Sequence, residues 1–172
     1  EANLICLKYN PGAIELIDST ILECTRANIE QRKNRFFLQG DPGAILIVEF
    51  ARHSMEELLD EKTRLETELR LSGLGYHYPL VTGSDILKVW SLRKSGLGVL
   101  SNMPGDAKPV SLIEDTAVRP DRLPDYIRDI KKILLEYGLD CVFHAHVGTG
   151  ELHLRPVLNL KNPSGVELFR KV

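Results

Sequence analysis

The stretch HAHVGTGELHLRP, residues 144–156, gathers three of the chain's five histidines with Glu151 and Arg155 around a Gly-x-Gly centre. Its two arms alternate polar and apolar residues, the period of a β-strand with one buried face. With Thr149 and Gly150 as a two-residue turn, the arms close into a hairpin. His146 then faces His153, Val147 faces Leu152 and His144 faces Arg155. Directly opposed residues of an antiparallel pair point to the same side, and every second residue returns to it. One face therefore carries His144, His146, Glu151, His153 and Arg155. The other carries Phe143, Ala145, Val147, Leu152, Leu154 and Pro156. Such a hairpin belongs to a sheet whose apolar face must be covered. An opposed His146–His153 pair has Cβ atoms about 4.5–5.5 Å apart. Two imidazoles at that spacing can share one divalent ion, with nitrogen–zinc bonds of about 2.0–2.1 Å. A catalytic zinc needs a third protein ligand and an open position. Glu151 shares the face, beside His153 on the same strand. A solvated or hydrogen-bonded histidine pair produces the same pattern.

Outward from the hairpin, strand-like and helix-like segments alternate. NLICLKY (3–9) reads as a strand, and PGAIELIDSTILECTRANI (11–29) as a helix with Ile14, Ile17, Ile21 and Leu22 on one face. NRFFLQGDPGAILIVEFA (34–51) reads as a hairpin leading into a strand from Ile45 to Phe50. Ser54 and Glu57 form a capping box, and Gly73 suits the stop of the helix that follows. YHYPLVT (76–82) reads as a short strand, and a helix runs from about Ser84 to Leu97. KPVSLIEDTAV (108–118) is a further strand. A long helix begins near Asp121, with Leu123, Tyr126, Ile127, Ile130, Ile133, Leu134 and Tyr137 as its stripe and Gly138 as its end. Hairpins interrupt the alternation. The fold expected is α+β, an antiparallel or mixed sheet with helices on one face, of ferredoxin-like type, spanning 1–172 as one domain.

Composition narrows the classes. Of 172 residues, 43% are hydrophobic and 27% charged, ordinary for one globular domain. The net charge of −2 offers no basic field for nucleic acid or an anionic membrane. Cys6, Cys24 and Cys141 are widely spaced, without a CxxC motif, and read as core thiols in a reducing compartment. No apolar run reaches the length of a membrane span, and no signal peptide opens the chain. The abrupt ends suggest a piece of a longer protein.

One charge falls in an apolar stripe. In the helix from Ser84, Ile86, Val89, Trp90 and Leu97 share a side with Arg93, whereas Lys94 does not. An inward guanidinium is costly unless paired, and its planar fork suits a carboxylate. Arg93 is thus a candidate anchor for a substrate carboxylate, with Arg155 and Lys108 as further candidates. The alternative for Arg93 is a packed stem with its head in water. Adjacent carboxylates at Glu114 and Asp115 point to opposite faces of their strand and cannot both line one site. There is no P-loop, no GxSxG and no usefully spaced Cys–His pair.

VWSLRKSGLGVLSNMPGDAKPVSLIEDTAVRPDRLPDY followed by HAHVGTGELHLRPVLNL resembles the C-terminal, substrate-side domain of the FAD-linked oxidases. These flavoproteins include D-2-hydroxyglutarate and D-lactate dehydrogenases and the glycolate oxidase catalytic subunit. LRKSGLG, IEDTAV and LHLRPVLNLK look most like the large bacterial forms fused to iron–sulfur modules. The resemblance implies an FAD-dependent oxidation of a D-2-hydroxyacid to a 2-oxoacid. It implies FAD bound mainly by an N-terminal domain outside this chain, iron–sulfur clusters elsewhere, and a cytoplasmic protein peripheral at most to the inner membrane. The family motif His-x-Gly-x-Gly-x-x-His falls on His146, Gly148, Gly150 and His153, which makes His146 and His153 ligands of a divalent ion, zinc by preference over manganese or iron. Arg93 falls on the substrate-carboxylate arginine and Arg155 on a substrate-bonding position. Glu114 and Glu151 are candidates on the cofactor side. The family's glutamate ligand and catalytic histidine lie beyond Val172, so no catalytic residue is expected within the chain, and the piece alone is expected to be inactive. Thr149 and Glu151 stand where the common motif has Asp and Asn, and Arg155 where many relatives have Asn. That more cationic pocket favours a dianionic acid. The implied partners are the rest of the polypeptide and a small 2-hydroxyacid, with no nucleic acid. The rival reading is a stand-alone ferredoxin-like module that binds a metal or small acid without chemistry.

Overall fold

AIELID (13–18) places Ile14 and Leu16 on one side and Glu15 and Ile17 on the other, and forms strand β1 (Ala13–Asp18). Its isoleucines also fit a helical spacing, which is why the sequence reads as a continuous helix there. The helix begins only at α2 (Ser19–Ala27), where the Asp18 carboxylate accepts from the Ile21 amide at 3.1 Å. The computed structural model describes the backbone of residues 1–172 and every side chain except that of Leu97. The expected stripe position Leu97 therefore lies outside the described residues.

The expected first strand is instead a short helix, α1 (Ala2–Leu7), with Asn3 and Cys6 turned inward. Six residues do not sustain a helix by propensity; tertiary packing holds this one. Asn3 donates to the Val147 carbonyl at 2.8 Å, tying α1 to the hairpin tip. A short helix, α3 (Ile29–Arg32), and a 3-10 turn (Lys33–Arg35) follow α2. The hairpin expected over 34–51 does not form. Only its second arm is a strand, β2 (Ala44–Glu49), and it pairs with β1 from Ala13↔Glu49 to Asp18↔Ala44.

Helix α4 (Met55–Leu71) starts as expected, with Ser54 Oγ accepting from the Glu57 amide at 3.1 Å. Glu57 returns to the His53 amide rather than that of Ser54. Residues 76–82 are irregular, not a strand. Helix α5 (Asp85–Leu100) outruns its expected end by a turn. The strand expected over 108–118 is broken into β3 (Lys108–Pro109) and β4 (Ile113–Ala117). Helix α6 (Leu123–Glu136) leads through Gly138, at φ +64°, into β5 (Cys141–His146), β6 (Glu151–Leu158) and helix α7 (Pro163–Lys171).

The described strands make an antiparallel sheet in the order β2-β1-β5-β6-β3, with β4 also on β6. The α+β architecture is thus as expected. On one face Ile14, Ala145, Leu152 and Leu154 pack against Cys6 of α1, Leu65 and Leu69 of α4 and Leu123 of α6. Helices α2 and α5 add a layer over part of the other face, where Ile21, Leu22, Leu92 and Val99 bury Ile17 and Val142. Each fully buried aliphatic side chain contributes roughly 1.5–3 kcal/mol. The polar half of the hairpin lies on this second face, beside α5.

Candidate functional site

The hairpin tip is longer than a two-residue turn. Val147 to Gly150 form it, with the amides of Thr149 and Gly150 both donating to the His146 carbonyl at 3.1 Å. His146 therefore pairs with Glu151, His144 with His153 and Val142 with Arg155. The expected His146–His153 opposition is corrected by a two-residue slip. Because the slip is even, every side chain keeps its face. The cause lies outside the hairpin: the Gly148 amide bonds the Ile14 carbonyl at 3.0 Å, and the Val118 amide bonds the Gly150 carbonyl at 2.9 Å. Both glycines are needed for this approach. A Cβ on Gly150, at φ +83°, would lie 1.8 Å from the Val118 oxygen, and one on Gly148 3.2 Å from the Ile14 nitrogen.

His146 and His153 are diagonal neighbours, with ring centroids 5.3 Å apart and planes at 81°. One donor atom each from His146, Glu151 and His153 lie within 4.8 Å of one another. Two imidazoles and a carboxylate are the donor set of catalytic zinc, and also suit manganese or iron. A cavity of about 460 Å³ opens beside His146 and Glu151, next to the Gly148–Thr149 tip. A larger hollow of about 770 Å³, lined by Leu46, Val48, Phe50 and Trp90 among others, carries neither His146 nor His153.

Each of these histidines is held from behind by a carboxylate. His146 Nδ1 lies 2.8 Å from Glu15 Oε1, and His153 Nδ1 lies 2.8 Å from Glu114 Oε2. An ionised carboxylate only accepts, so Nδ1 carries the proton, and in the neutral ring the lone pair is then on Nε2. Sequence reading missed Glu15, because it assigned that stretch to a helix. AIELID does not alternate strictly, because Leu16 and Ile17 are adjacent apolar residues on opposite faces, so the local pattern gives no clear signal for Glu15.

Arg93 is inward, as expected, and 7% exposed. Its Nε and Nη2 donate to Glu15 Oε2 at 2.9 and 2.5 Å, and Nη1 reaches the His144 ring. Guanidinium only donates, so His144 meets it with a lone pair and stays neutral. Burial first, and then the charge of Arg93, push the His144 pKa down to about 3. Arg155 pairs with Glu114 Oε1 at 2.7 Å and with the Ser111 hydroxyl, while its buried Nε finds no acceptor among the described residues. Lys108 stands apart, on β3 opposite Leu158, where its amine donates to the Met103 carbonyl.

Glu114 and Asp115 do not point away from each other, as strand geometry alone would have them do. The β4–β6 register shifts between Ile113 and Thr116, and Asp115 takes φ +55°. This irregularity brings both carboxylates to one imidazole, with Asp115 Oδ1 3.3 Å from His153 Nδ1. Asp tolerates the left-handed region better than most residues. Counting Glu15, Glu114, Asp115 and Glu151 against Arg93 and Arg155, the cluster holds four carboxylates and two guanidinium groups. One divalent cation would balance the remaining charge.

An antiparallel sheet that presents anchored histidines and arginines across one face defines the class. Residues 4–172 match the family model described as FAD linked oxidases, C-terminal domain, and the chain belongs to that family. Among curated relatives, the D-2-hydroxyglutarate dehydrogenase of Pseudomonas putida is 31% identical over 182 residues, covering 100% of this chain and 18% of the relative. That of Haemophilus influenzae is 32% identical over 180 residues, covering 96% and 17%. That of Escherichia coli is 29% identical over 171 residues, covering 93% and 17%. The chain thus spans less than a fifth of the length of these relatives. None of its described helices is long and apolar enough to cross a membrane.

Proposed function

We propose that this chain forms the substrate side of an FAD-dependent dehydrogenase that oxidises a D-2-hydroxyacid to a 2-oxoacid. In this reading His146 and His153 hold a divalent cation, zinc by preference, with Glu151 as the carboxylate within reach. The flavin is held mainly by polypeptide outside residues 1–172, with Glu114 and Glu151 on the side facing the cofactors. Iron–sulfur clusters and contact with the inner membrane, if the whole protein has them, belong to those other parts. The observation that carries the reading is the convergence of two Nδ1-anchored imidazoles and Glu151 on one face, in a cluster short of two positive charges.

When bound, the metal supplies Lewis acidity toward the hydroxyl and carboxylate oxygens of the substrate, and the flavin the two-electron acceptor. The chain's own residues do the rest of the positioning. His146 and His153 present Nε2 lone pairs on a rigid sheet. Arg93 and Arg155 offset the two carboxylates behind the histidines, so that a bound divalent cation would favour an anionic acid over a neutral alcohol. Arg155 keeps an Nε without a partner among the described residues, and Lys108 would join the substrate only by leaving the Met103 carbonyl. His144, neutral and pressed between Arg93 and His153, excludes water from behind the pair without adding charge. No residue of the chain is assigned as the general base.

The test uses the intact protein, depleted of metal with a chelator and refilled with zinc. Dye reduction is followed with D-2-hydroxyglutarate, D-lactate and glycolate. His146→Ala and His153→Ala are expected to lose tight zinc binding and at least 100-fold in turnover, an effect in the range of removing one strong electrostatic contributor. Full activity of both variants would reject the reading.

A further inference from the structure

Four neighbouring strands carry a row of side chains: Glu15 on β1, His146 on β5, His153 on β6 and Glu114 on β4. The pairing Leu16↔Ala145 and Ile17↔His144 sets Glu15 opposite His146, and the β4–β6 pairing at Ile113↔Leu154 sets Glu114 beside His153. The outer partner of Glu15 is Arg93 and that of Glu114 is Arg155.

Both glutamates divide their oxygens in the same way. Glu15 gives Oε2 to Arg93 and Oε1 to His146. Glu114 faces Arg155 with Oε1 as an ion pair at 2.7 Å without hydrogen-bond geometry, and gives Oε2 to His153. A carboxylate that served only to neutralise a buried arginine would set both oxygens on the two prongs that the guanidinium fork offers. Neither gives its arginine both oxygens: Arg93 closes two prongs on Glu15 Oε2 alone, Arg155 meets Glu114 at Oε1 alone, and the other oxygen lies on an imidazole Nδ1 in each case.

We propose that Glu15 and Glu114 are positioning residues of the metal site, each fixing the ring angle and Nδ1–H tautomer of one histidine ligand and each locked by its own arginine. This rests on the metal reading above. A carboxylate behind a ligating imidazole makes it a better donor, and its removal typically weakens metal binding about 10- to 100-fold. The two relays are not equal. Asp115 stands 3.3 Å from His153 Nδ1 and can replace Glu114, whereas among the described residues Glu15 is the one carboxylate on His146 Nδ1. Glu15 is therefore the more sensitive of the two.

The experiment measures zinc affinity of the intact protein by competition with a chromophoric chelator, and the visible absorption of the cobalt-substituted form. Glu15→Gln should weaken zinc about 10- to 100-fold and alter the cobalt spectrum. Glu114→Gln should cost less, and Glu114→Gln combined with Asp115→Asn should approach the Glu15→Gln loss. Glu114→Gln lies at a partly exposed site and guards against a folding failure in Glu15→Gln. His146→Ala and His153→Ala serve as references. If they lose zinc while all the carboxylate variants stay within threefold of wild type with unchanged spectra, the relay is overturned and the metal site stands. If the histidine variants keep zinc, the site reading itself falls, and the relay with it.

Discussion

Replacing Gly150 by alanine tests the packing of the hairpin tip directly. The position sits at φ +83°, where an L-residue with a Cβ is strained by roughly 1–2 kcal/mol. The new Cβ would also lie 1.8 Å from the Val118 carbonyl oxygen, so the tip and the end of β4 must separate. Separation breaks the 2.9 Å bond from the Val118 amide to the Gly150 carbonyl, a net loss of about 0.5–1.5 kcal/mol. Together these predict about 1.5–3.5 kcal/mol of local destabilisation. Hydrogen exchange is the appropriate assay, because it reports local opening within a large protein where a single unfolding free energy is not defined. Peptides covering 113–120 and 144–153 should exchange about 13- to 370-fold faster, at 1.36 kcal/mol per tenfold. Gly98→Ala is the control: it lies exposed in α5 with nothing within 4 Å of a new Cβ, and should be neutral or stabilising by up to about 1 kcal/mol. Exchange in Gly150→Ala within threefold of wild type would refute the argument that the tip is sterically closed.

Further outcomes follow from the buried ions and thiols. Arg93→Met should cost about 3–5 kcal/mol in local opening of β1 and β5, because Glu15, also buried, loses its cation. Adding Glu15→Leu should restore part of that loss, and strict additivity of the two changes would show that they are not coupled. Burial pushes the thiols of Cys6 and Cys141 up to about 11 and about 12, so neither should be alkylated in the native protein at pH 8. In the unfolded chain these thiols ionise near pH 9, whereas in the folded chain they do not until well above it. Stability they contribute is therefore fully present below pH 9 and lost as the pH climbs toward 11 and 12. Cys6→Ala should flatten the alkaline arm of a stability–pH curve, and an unchanged arm would rule the thiol out.

Much of the site could be read from the chain because strand parity is a local property. With any turn of even length, HAHVGTGELHLRP puts its histidines, Glu151 and Arg155 on one side and its aliphatic residues on the other, and the inward Arg93 follows from helical spacing in the same way. Ser54, Gly73 and Gly138 likewise marked helix ends through chemistry confined to a few neighbouring residues. What the chain could not disclose depended on groups distant in sequence. AIELID suits a strand or a helix by its isoleucines, and only pairing with β2 and β5 settles it as a strand, bringing Glu15 to His146 and Arg93. The slip that pairs His146 with Glu151 comes from hydrogen bonds to Ile14 and Val118. The irregularity that turns Asp115 toward His153 exists only where β4 meets β6. Periodicity assigns residues to faces because backbone geometry repeats every two residues or every 3.6. Which side chains then touch is decided by register and packing between segments, and those energies are realised only in the assembled sheet.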